Sequence, residues 1–335
     1  MNERIIIPNG YKSKLSLYRT QLAIGTLKRI FEGELCEKLN LSRVSAPLFV
    51  KAGSGLNDDL SGTERPVSFD SENGEQLQIV HSLAKWKRLA LWQYGFSAGE
   101  GIYADMNAIR RDETTDNLHS IYVDQWDWEK VILPAERCES YLKDTVRNIV
   151  LAIGTANRRL KEQFFELDYD FCEQVTFISS EQLLQKYPNL TPKQREYEIV
   201  KECKTVFLMQ IGKKLSDGSV HDGRAPDYDD WSLNGDLLVY HPVLDCALEL
   251  SSMGIRVDKK ALQSQLKQSQ KLERKKLYFH KLLLNETLPA CIGGGIGQSR
   301  LCMLLLQKAH VGEVQVSVWD EKTKQILKDA GIILL

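Results

Sequence analysis

The chain has 335 residues, with 43% apolar and 27% charged side chains, proportions of an ordinary soluble globular protein able to bury one large core. Its 44 Lys and Arg stand against 45 Asp and Glu, a formal net charge of -1, which excludes a global positive field for holding a long polyanion and leaves room only for a local basic patch. The 7 Cys include no CxxC pair, Ile5 to Ile7 stopped by Pro8 are too short for a signal peptide, and no apolar run approaches the ~18 residues of a membrane span, so reduced thiols in a cytoplasmic, membrane-free protein are expected.

In chain order, apolar spacing predicts a helix over 14–40, an extended segment over 43–50 and a loop over 51–62 rich in Gly, Asn and Asp. A strand is expected at 76–80 and helical spacing around Trp86, Leu89 and Trp92. Two strands, 101–110 and 120–128, read as a hairpin with the polar segment 111–117 between them. The clearest helix runs over 134–166, with Pro134 near its start. Strands follow at 175–178, 206–211, 237–240 and 247–257, then a long charged helix at 258–285. A Gly cluster at 293–297 leads into an apolar helix, 298–309, and 314–318 is a last strand candidate. Strands come in pairs with helices grouped between them, which argues for an α+β fold: a mostly antiparallel sheet flanked by helices. No linker, repeat or low-complexity stretch interrupts the chain, so 1–335 is read as one catalytic domain.

Six stretches have residues suited to chemistry. Gly53 to Gly62 combines flexible backbone with Asp58 and Asp59, a set able to hold a cation or an ammonium group, or simply a wet loop. His81 to Arg88 places Lys85, Lys87 and Arg88 within four residues; on a helix Lys85 and Arg88 share a face. The strand from Tyr122 alternates Asp124, Trp126 and Trp128 with Gln125, Asp127 and Glu129. A face of Gln, Asp and Glu needs polar partners, and the flanking Trp residues favour a polar site over a wholly wet strand. Asp222, Asp227, Asp229 and Asp230 crowd one short stretch, fit for a divalent ion or for solvent; Pro226 and the missing terminal Glu exclude an EF-hand. Strict alternation over 249–256 puts Glu249 with Ser251, and Ser252 with Arg256. Finally, Gly293 to Gly297 followed by Arg300 at a helix start offers close backbone approach and free N–H groups to an anion, although neither GxxxxGK[ST] nor a Rossmann GxGxxG is present.

The strings HSLAKWKR (81–88), VDQWDWE (123–129), KLSDGSVHDGRAPDYDDW (214–231), ELSSMGIRV (249–257) and GGGIGQSRL (293–301) resemble the ammonia-dependent asparagine synthetases, in the family's order and over nearly the whole chain. The resemblance implies a class II aminoacyl-tRNA synthetase-like catalytic core working as a homodimer. It implies an enzyme that uses ATP and Mg2+ to convert L-aspartate and ammonia to L-asparagine, through β-aspartyl-AMP, with release of AMP and pyrophosphate. On that resemblance Lys87 and Arg110 are expected to bridge the β-carboxylate and the α-phosphate. Asp58, Gln125 and Asp127 hold the α-ammonium, with Ser251 also on the substrate side. Asp58 or Asp229 takes a proton from ammonium. Arg224, Arg300, Ser252 and Arg256 serve the nucleotide, and Asp236 and Glu249 hold Mg2+.

Three other readings compete. An RNA-binding, aspartate-adenylating paralogue of the tRNA synthetases would need an anticodon-binding domain or a basic face, and no nucleic-acid partner is expected. A glutamine-dependent enzyme of one type would need Cys where Asn2 stands. A degenerate, non-catalytic relative would have lost charged site residues, and all of those named above are present.

Overall fold

The computed structural model describes residues 5–58, 60 and 64–335; Asp59, Ser61 and Gly62 of the first candidate stretch lie outside the described residues. Helix α1 (Leu17–Leu39) leads into the short strands β1 (Leu41–Arg43) and β2 (Phe49–Lys51), then β3 (Ser68–Asp70) and β4 (Gln76–Ile79). Next come α2 (Ala84–Tyr94) and the hairpin β5 (Gly101–Ile109) and β6 (Tyr122–Val131), then α3 (Glu139–Gln163). The middle of the chain holds β7 (Thr176–Ser179), α4 (Ser180–Lys186), α5 (Pro192–Cys203), β8 (Thr205–Met209), β9 (Asp229–His241) and β10 (Cys246–Arg256). After them come α6 (Lys259–Gln268), α7 (Tyr278–Leu284), β11 (Cys291–Gly297), α8 (Gln298–Leu305) and α9 (Glu321–Asp329).

The main sheet has 8 strands in the order β1-β5-β6-β11-β10-β9-β8-β7. Its inner strands pair antiparallel, and only the outer pairs, β1 with β5 and β7 with β8, are parallel. This is the expected mixed fold with a mostly antiparallel sheet. One face is dry. Trp126 and Trp128 of β6, Leu237 and Val239 of β9, Leu248, Leu250, Met253 and Ile255 of β10, and Ile292 and Ile296 of β11 pack there against α1, α3 and α8. On the opposite face α2 covers β5, and α4 and α5 cover β8 and β9. Between those helices the centres of β6, β10 and β9 present polar side chains, and β11 presents glycines.

Several boundaries differ from the sequence reading, each for a local reason. The helix expected over 134–166 starts later: Pro134 opens a 3-10 turn, and α3 begins at Glu139. The charged helix expected over 258–285 is three pieces, α6, a 3-10 turn over Leu272–Lys276, and α7; Gln270, at φ 57, breaks the run. The Gly cluster is itself a strand, β11, buried between β6 and β10. The segment 314–318 is not a strand. The Gln315 amide bonds the side chains of Asp124 and Ser299, while Val316 and Val318 face solvent without a ladder partner among the described residues.

A bulge in β10 changes which side chains meet. Glu249 pairs with Leu238, but Ser251 pairs with Leu237, so Leu250 is the extra residue. One inserted residue shifts the alternation. Leu248 and Leu250 face the dry core, and so do Met253 and Ile255. Glu249 therefore shares the polar face with Ser252, Gly254 and Arg256, which strict alternation would have placed opposite it.

Candidate active site

The polar face is built on β6. Opposite the buried Trp126 and Trp128, it presents Gln125, Asp127 and Glu129, as the alternation predicts. Their neighbours on β11 are glycines, with Gly295 beside Asp127 and Gly293 beside Glu129. A Cβ on Gly293 would lie 2.1 Å from Glu129 Oε2, and one on Gly295 would lie 2.3 Å from Gln125 Oε1. The two glycines clear space for polar side chains of the next strand. That packing need, rather than backbone flexibility, explains them.

Helix α2 carries three cations, all of them buried, and brings Lys87 down onto this face. Lys87 Nζ donates to Asp127, to the Trp128 carbonyl at 2.8 Å and to the Gly294 carbonyl at 3.1 Å. An ammonium has three donors, so contact with a bound carboxylate requires Lys87 to exchange one of these acceptors. Arg88 bonds the carbonyls of Val257 and Pro289, at 2.8 and 3.0 Å. Lys85 turns the other way, toward Asp227 at 3.4 Å. The wet basic face that the sequence leaves open is thus absent.

Arg256 completes a buried charge mesh. Its Nε lies 2.9 Å from Glu129 Oε1, and its Nη1 binds Asp229. Burial pushes the Glu129 carboxyl up, but Arg256 outweighs that and holds it below its ordinary range. For Asp229 burial prevails over Arg256, and its pKa is raised. Burial lowers the pKa of Lys87 despite Asp127 and Glu129.

Asp58 enters from the loop before α2. Its Oδ2 accepts from Ser82 Oγ at 3.1 Å and its Oδ1 from the Leu60 N–H at 3.0 Å. The buried His81 lies 2.9 Å from the Asp58 carbonyl through Nδ1. A carbonyl only accepts, so Nδ1 bears the proton. Nε2 is left as a buried acceptor without a partner among the described residues.

Three adjoining cavities open on this face. The smallest, about 110 Å3, is lined by Asp58, Lys87, Gln125, Asp127, Asp229 and Arg256, among others. A second, about 270 Å3, is lined by Arg300, Ser251, Gln125 and Lys193, and a third, about 330 Å3, by Arg224, Ser252, His81 and Tyr228. All three share Arg110 and Glu249. Arg110 directly follows β5; its nearest carboxylate among the described residues is Glu113, 3.9 Å away, and its Nε has no partner among them. Arg300 donates to the Glu249 carbonyl at 2.9 Å.

Arg224 pairs with Asp236 and, at 3.0 Å, with Asp222. Burial raises the pKa of Asp236 to about 6 against the pull of Arg224, and its Oδ1 has no partner among the described residues. For Glu249 burial is outweighed by Arg300 and Arg224, which lower its pKa.

All the expected site residues except Asp236 line at least one of these cavities, and Asp236 stands behind Arg224; some are on other sides of the cleft than expected. Arg256 lines only the smallest cavity of the three, beside Asp58 and Asp127. The bulge sends Ser251 to the Arg300 side, where its hydroxyl donates to the Gly295 carbonyl at 2.8 Å, and sets Ser252 against the other two cavities. Glu129, Ser82 and His81 also belong to the site, beyond the residues expected from the sequence. Glu129 stands on the polar face that the alternation marks, and burial of both its neighbours was the available signal. Nothing in the sequence marks His81 or Ser82 beyond their place before Lys85.

The family model described as aspartate-ammonia ligase matches residues 18–331. An aspartate–ammonia ligase of Clostridium tetani is 55% identical over 336 residues, covering 100% of this chain and 98% of that one. One of Fusobacterium nucleatum is 54% identical over 326 residues, covering 97% and 100%. Among solved structures, asparaginyl-tRNA synthetase of Pyrococcus horikoshii complexed with asparaginyl-adenylate matches with TM-score 0.65 at 13% identity, over 89% of this chain and 68% of that one. A putative aspartyl-tRNA synthetase of Leishmania major matches with TM-score 0.61 at 13% identity, over 90% and 64%. At those identities the likeness is one of fold.

The mesh yields a stability prediction. Glu129→Gln leaves Arg256 and Lys87 short of a buried counter-charge, so the variant should lose about 3–5 kcal/mol at neutral pH. The Glu129 pKa is depressed in the fold, so its contribution is complete above the unfolded value and fades as pH falls through the folded one. Urea titrations at pH 7 and in acid should show the gap between wild type and variant narrowing on acidification; a gap independent of pH would contradict the ionised pair.

Proposed function

The chain belongs to the aspartate–ammonia ligase family and makes L-asparagine from L-aspartate and ammonia with consumption of ATP, and from that premise we propose how its residues divide the work. The observation that carries the proposal is the sharing of Arg110 and Glu249 by all three cavities. We assign L-aspartate to the smallest of them and the nucleotide to the other two, with the reacting α-phosphate where they join, beside Arg110. The β-carboxylate oxygen attacks the α-phosphorus, the bond to pyrophosphate breaks, and β-aspartyl-AMP forms. Ammonia then attacks the acyl carbon, AMP leaves, and one proton must be removed.

Charge supports these assignments. The smallest cavity is lined by three cations, Lys87, Arg110 and Arg256, and by four carboxylates, Asp58, Asp127, Asp229 and Glu249, with Glu129 buried behind Lys87 and Arg256 as a fifth. That excess suits the α-ammonium of the substrate, and Asp58, Gln125 and Asp127 are assigned to it. Arg110 stabilises charge that grows on the phosphorane oxygens, and Arg300 and Arg224 serve the nucleotide phosphates or base. Burial raises the Asp229 carboxyl toward the range useful at neutral pH, so of the two candidate bases Asp229 is assigned the proton from ammonium.

Asp236 and Glu249 suit Mg2+ carried in by the nucleotide. Asp236 Oδ1 is buried and unpartnered among the described residues, and no cluster of three or more metal-ligating side chains occurs among them. Mg2+ bound with phosphates uses one or two protein carboxylates and water for the rest. Bound there, it would neutralise charge on the phosphate oxygens.

We also read 1–335 as one catalytic domain in a cytoplasmic homodimer. Contacts between chain ends, such as Tyr11 with Glu313 at 2.9 Å, favour a single unit. All 7 cysteines are free, and no described helix is long and apolar enough to cross a membrane. Leu17, Tyr18 and Leu22 leave an exposed apolar stripe on α1, which a second copy would cover. Sedimentation velocity should give twice the mass of one chain, and Leu22→Glu should shift it toward one; a wild-type monomer would refute the dimer.

The chemistry is tested by following AMP, pyrophosphate and asparagine. Ammonium should support all three products, with glutamine a poor substitute. Arg110→Ala should lower aspartate-dependent pyrophosphate exchange by about 100- to 1,000-fold, the usual cost of a transition-state charge donor. Asp229→Asn should keep exchange and lose amidation; loss of both in equal measure would remove Asp229 from the proton-transfer role.

A further inference from the structure

Gln125 and Asp127 stand on a central strand of the sheet, but Asp58, the other residue assigned to the α-ammonium, enters from a loop. Loops position side chains less exactly than strands do, so a carboxylate on a loop serves such a site only if something fixes it. The residue before it has that geometry. Asn57 is half-buried, and its Oδ1 accepts from two main-chain N–H groups, those of Asp58 and His81, at 2.9 Å each. An amide oxygen has two lone pairs, and both are used. Its Nδ2 donates to the Ile79 carbonyl at 3.2 Å, with Gln78 Oε1 3.4 Å away. One side chain thereby ties the loop both to the end of β4 and to the residues that lead into α2. Gly55, at φ 77, lets the chain turn back onto that segment.

Residues 81–83 hold both carboxylates. His81 Nδ1 bonds the Asp58 carbonyl at 2.9 Å, and Ser82 Oγ donates to Asp58 Oδ2 at 3.1 Å. The next residue, Leu83, donates its N–H to Asp127 Oδ2 at 3.0 Å. The spacing between Asp58 and Asp127 is therefore set through three consecutive residues, and Asn57 is the side chain that docks the Asp58 loop on their main chain. Asn57 lines none of the three active-site cavities, so it acts through its neighbours and not by touching substrate. We propose that Asn57 is a positioning residue for L-aspartate: by clamping Asp58 to His81, it sets the gap between Asp58 and Asp127 that one ammonium bridges. The inference rests on the assignment of those two carboxylates to the α-ammonium. Removing the clamp should weaken the amino-acid seat and leave the nucleotide side unchanged.

Aspartate-dependent pyrophosphate exchange tests this in Asn57→Ala, Asp58→Asn and the double variant of the full chain, with thermal melts to identify folded protein. Exchange involves no ammonia, so it reads the amino-acid seat apart from proton transfer. Asn57→Ala should raise KM for aspartate by about tenfold or more, the scale of one hydrogen bond to a charged group. The exchange kcat and KM for ATP should stay within about threefold of wild type. In the Asp58→Asn background, Asn57→Ala should raise KM for aspartate little further, because the two act as one unit. Asn57→Ser removes the same clamp and takes the place of Asn57→Ala if that chain does not fold. An unchanged KM for aspartate in the folded Asn57 variant, equal rises for aspartate and ATP, or full additivity in the double variant would overturn the proposal. A wild-type KM for aspartate in Asp58→Asn would instead overturn the ammonium assignment, and this inference with it.

Discussion

Everything at the active site depends on keeping Arg256 charged inside a sheet. Its guanidinium is almost wholly buried and is held by Glu129 from β6 and Asp229 from β9, with Gly293 and Gly254 thinned to make room. A buried charge without such partners costs several kcal/mol. Once they are supplied, Lys87 can enter from α2 and find Asp127, and β6, β10 and β9 become fixed relative to one another, with the glycine strand β11 between β6 and β10. The mesh is thus scaffold and binding surface at once. Its surplus of carboxylate is what an incoming ammonium group can neutralise.

Much of this was legible before any coordinates. The alternation in β6 separates Trp126 and Trp128 from Gln125, Asp127 and Glu129, and the hairpin of β5 with β6 follows from two apolar runs joined by a polar segment. What the residues could not reveal is geometry that depends on two strands together. The bulge at Leu250 has no local sequence signal, yet it decides that Glu249 faces the same way as Ser252 and Arg256. The glycines of β11 suggest a phosphate loop when read alone; beside β6 they are clearance for Glu129 and Gln125. Asp229 and Asp230, in an acidic stretch that reads equally well as a wet loop, begin the longest strand of the sheet. The burial of Lys85, Lys87 and Arg88 was equally hidden, because their partners come from residues 40 to 207 positions away.

The shared fold with asparaginyl- and aspartyl-tRNA synthetases places the chemistry in a wider physical setting. An antiparallel sheet with one dry face and one polar face offers rigid positions for several charges, and strands hold side chains more exactly than loops do. Activating a carboxylate needs a cation where phosphate charge develops and a dry seat for the amino acid. Under the proposed assignment Arg110 and the Lys87–Arg256 mesh supply these from the sheet and one helix.

The central claim is that the β-carboxylate of aspartate becomes bonded to the α-phosphorus of ATP before ammonia arrives. Aspartate labelled with 18O in its β-carboxylate, turned over with ATP and ammonium, tests this directly by mass spectrometry of the products. The account predicts one 18O in the phosphate of AMP and none in pyrophosphate. Label in inorganic phosphate with ADP as coproduct, or AMP free of label, would contradict it.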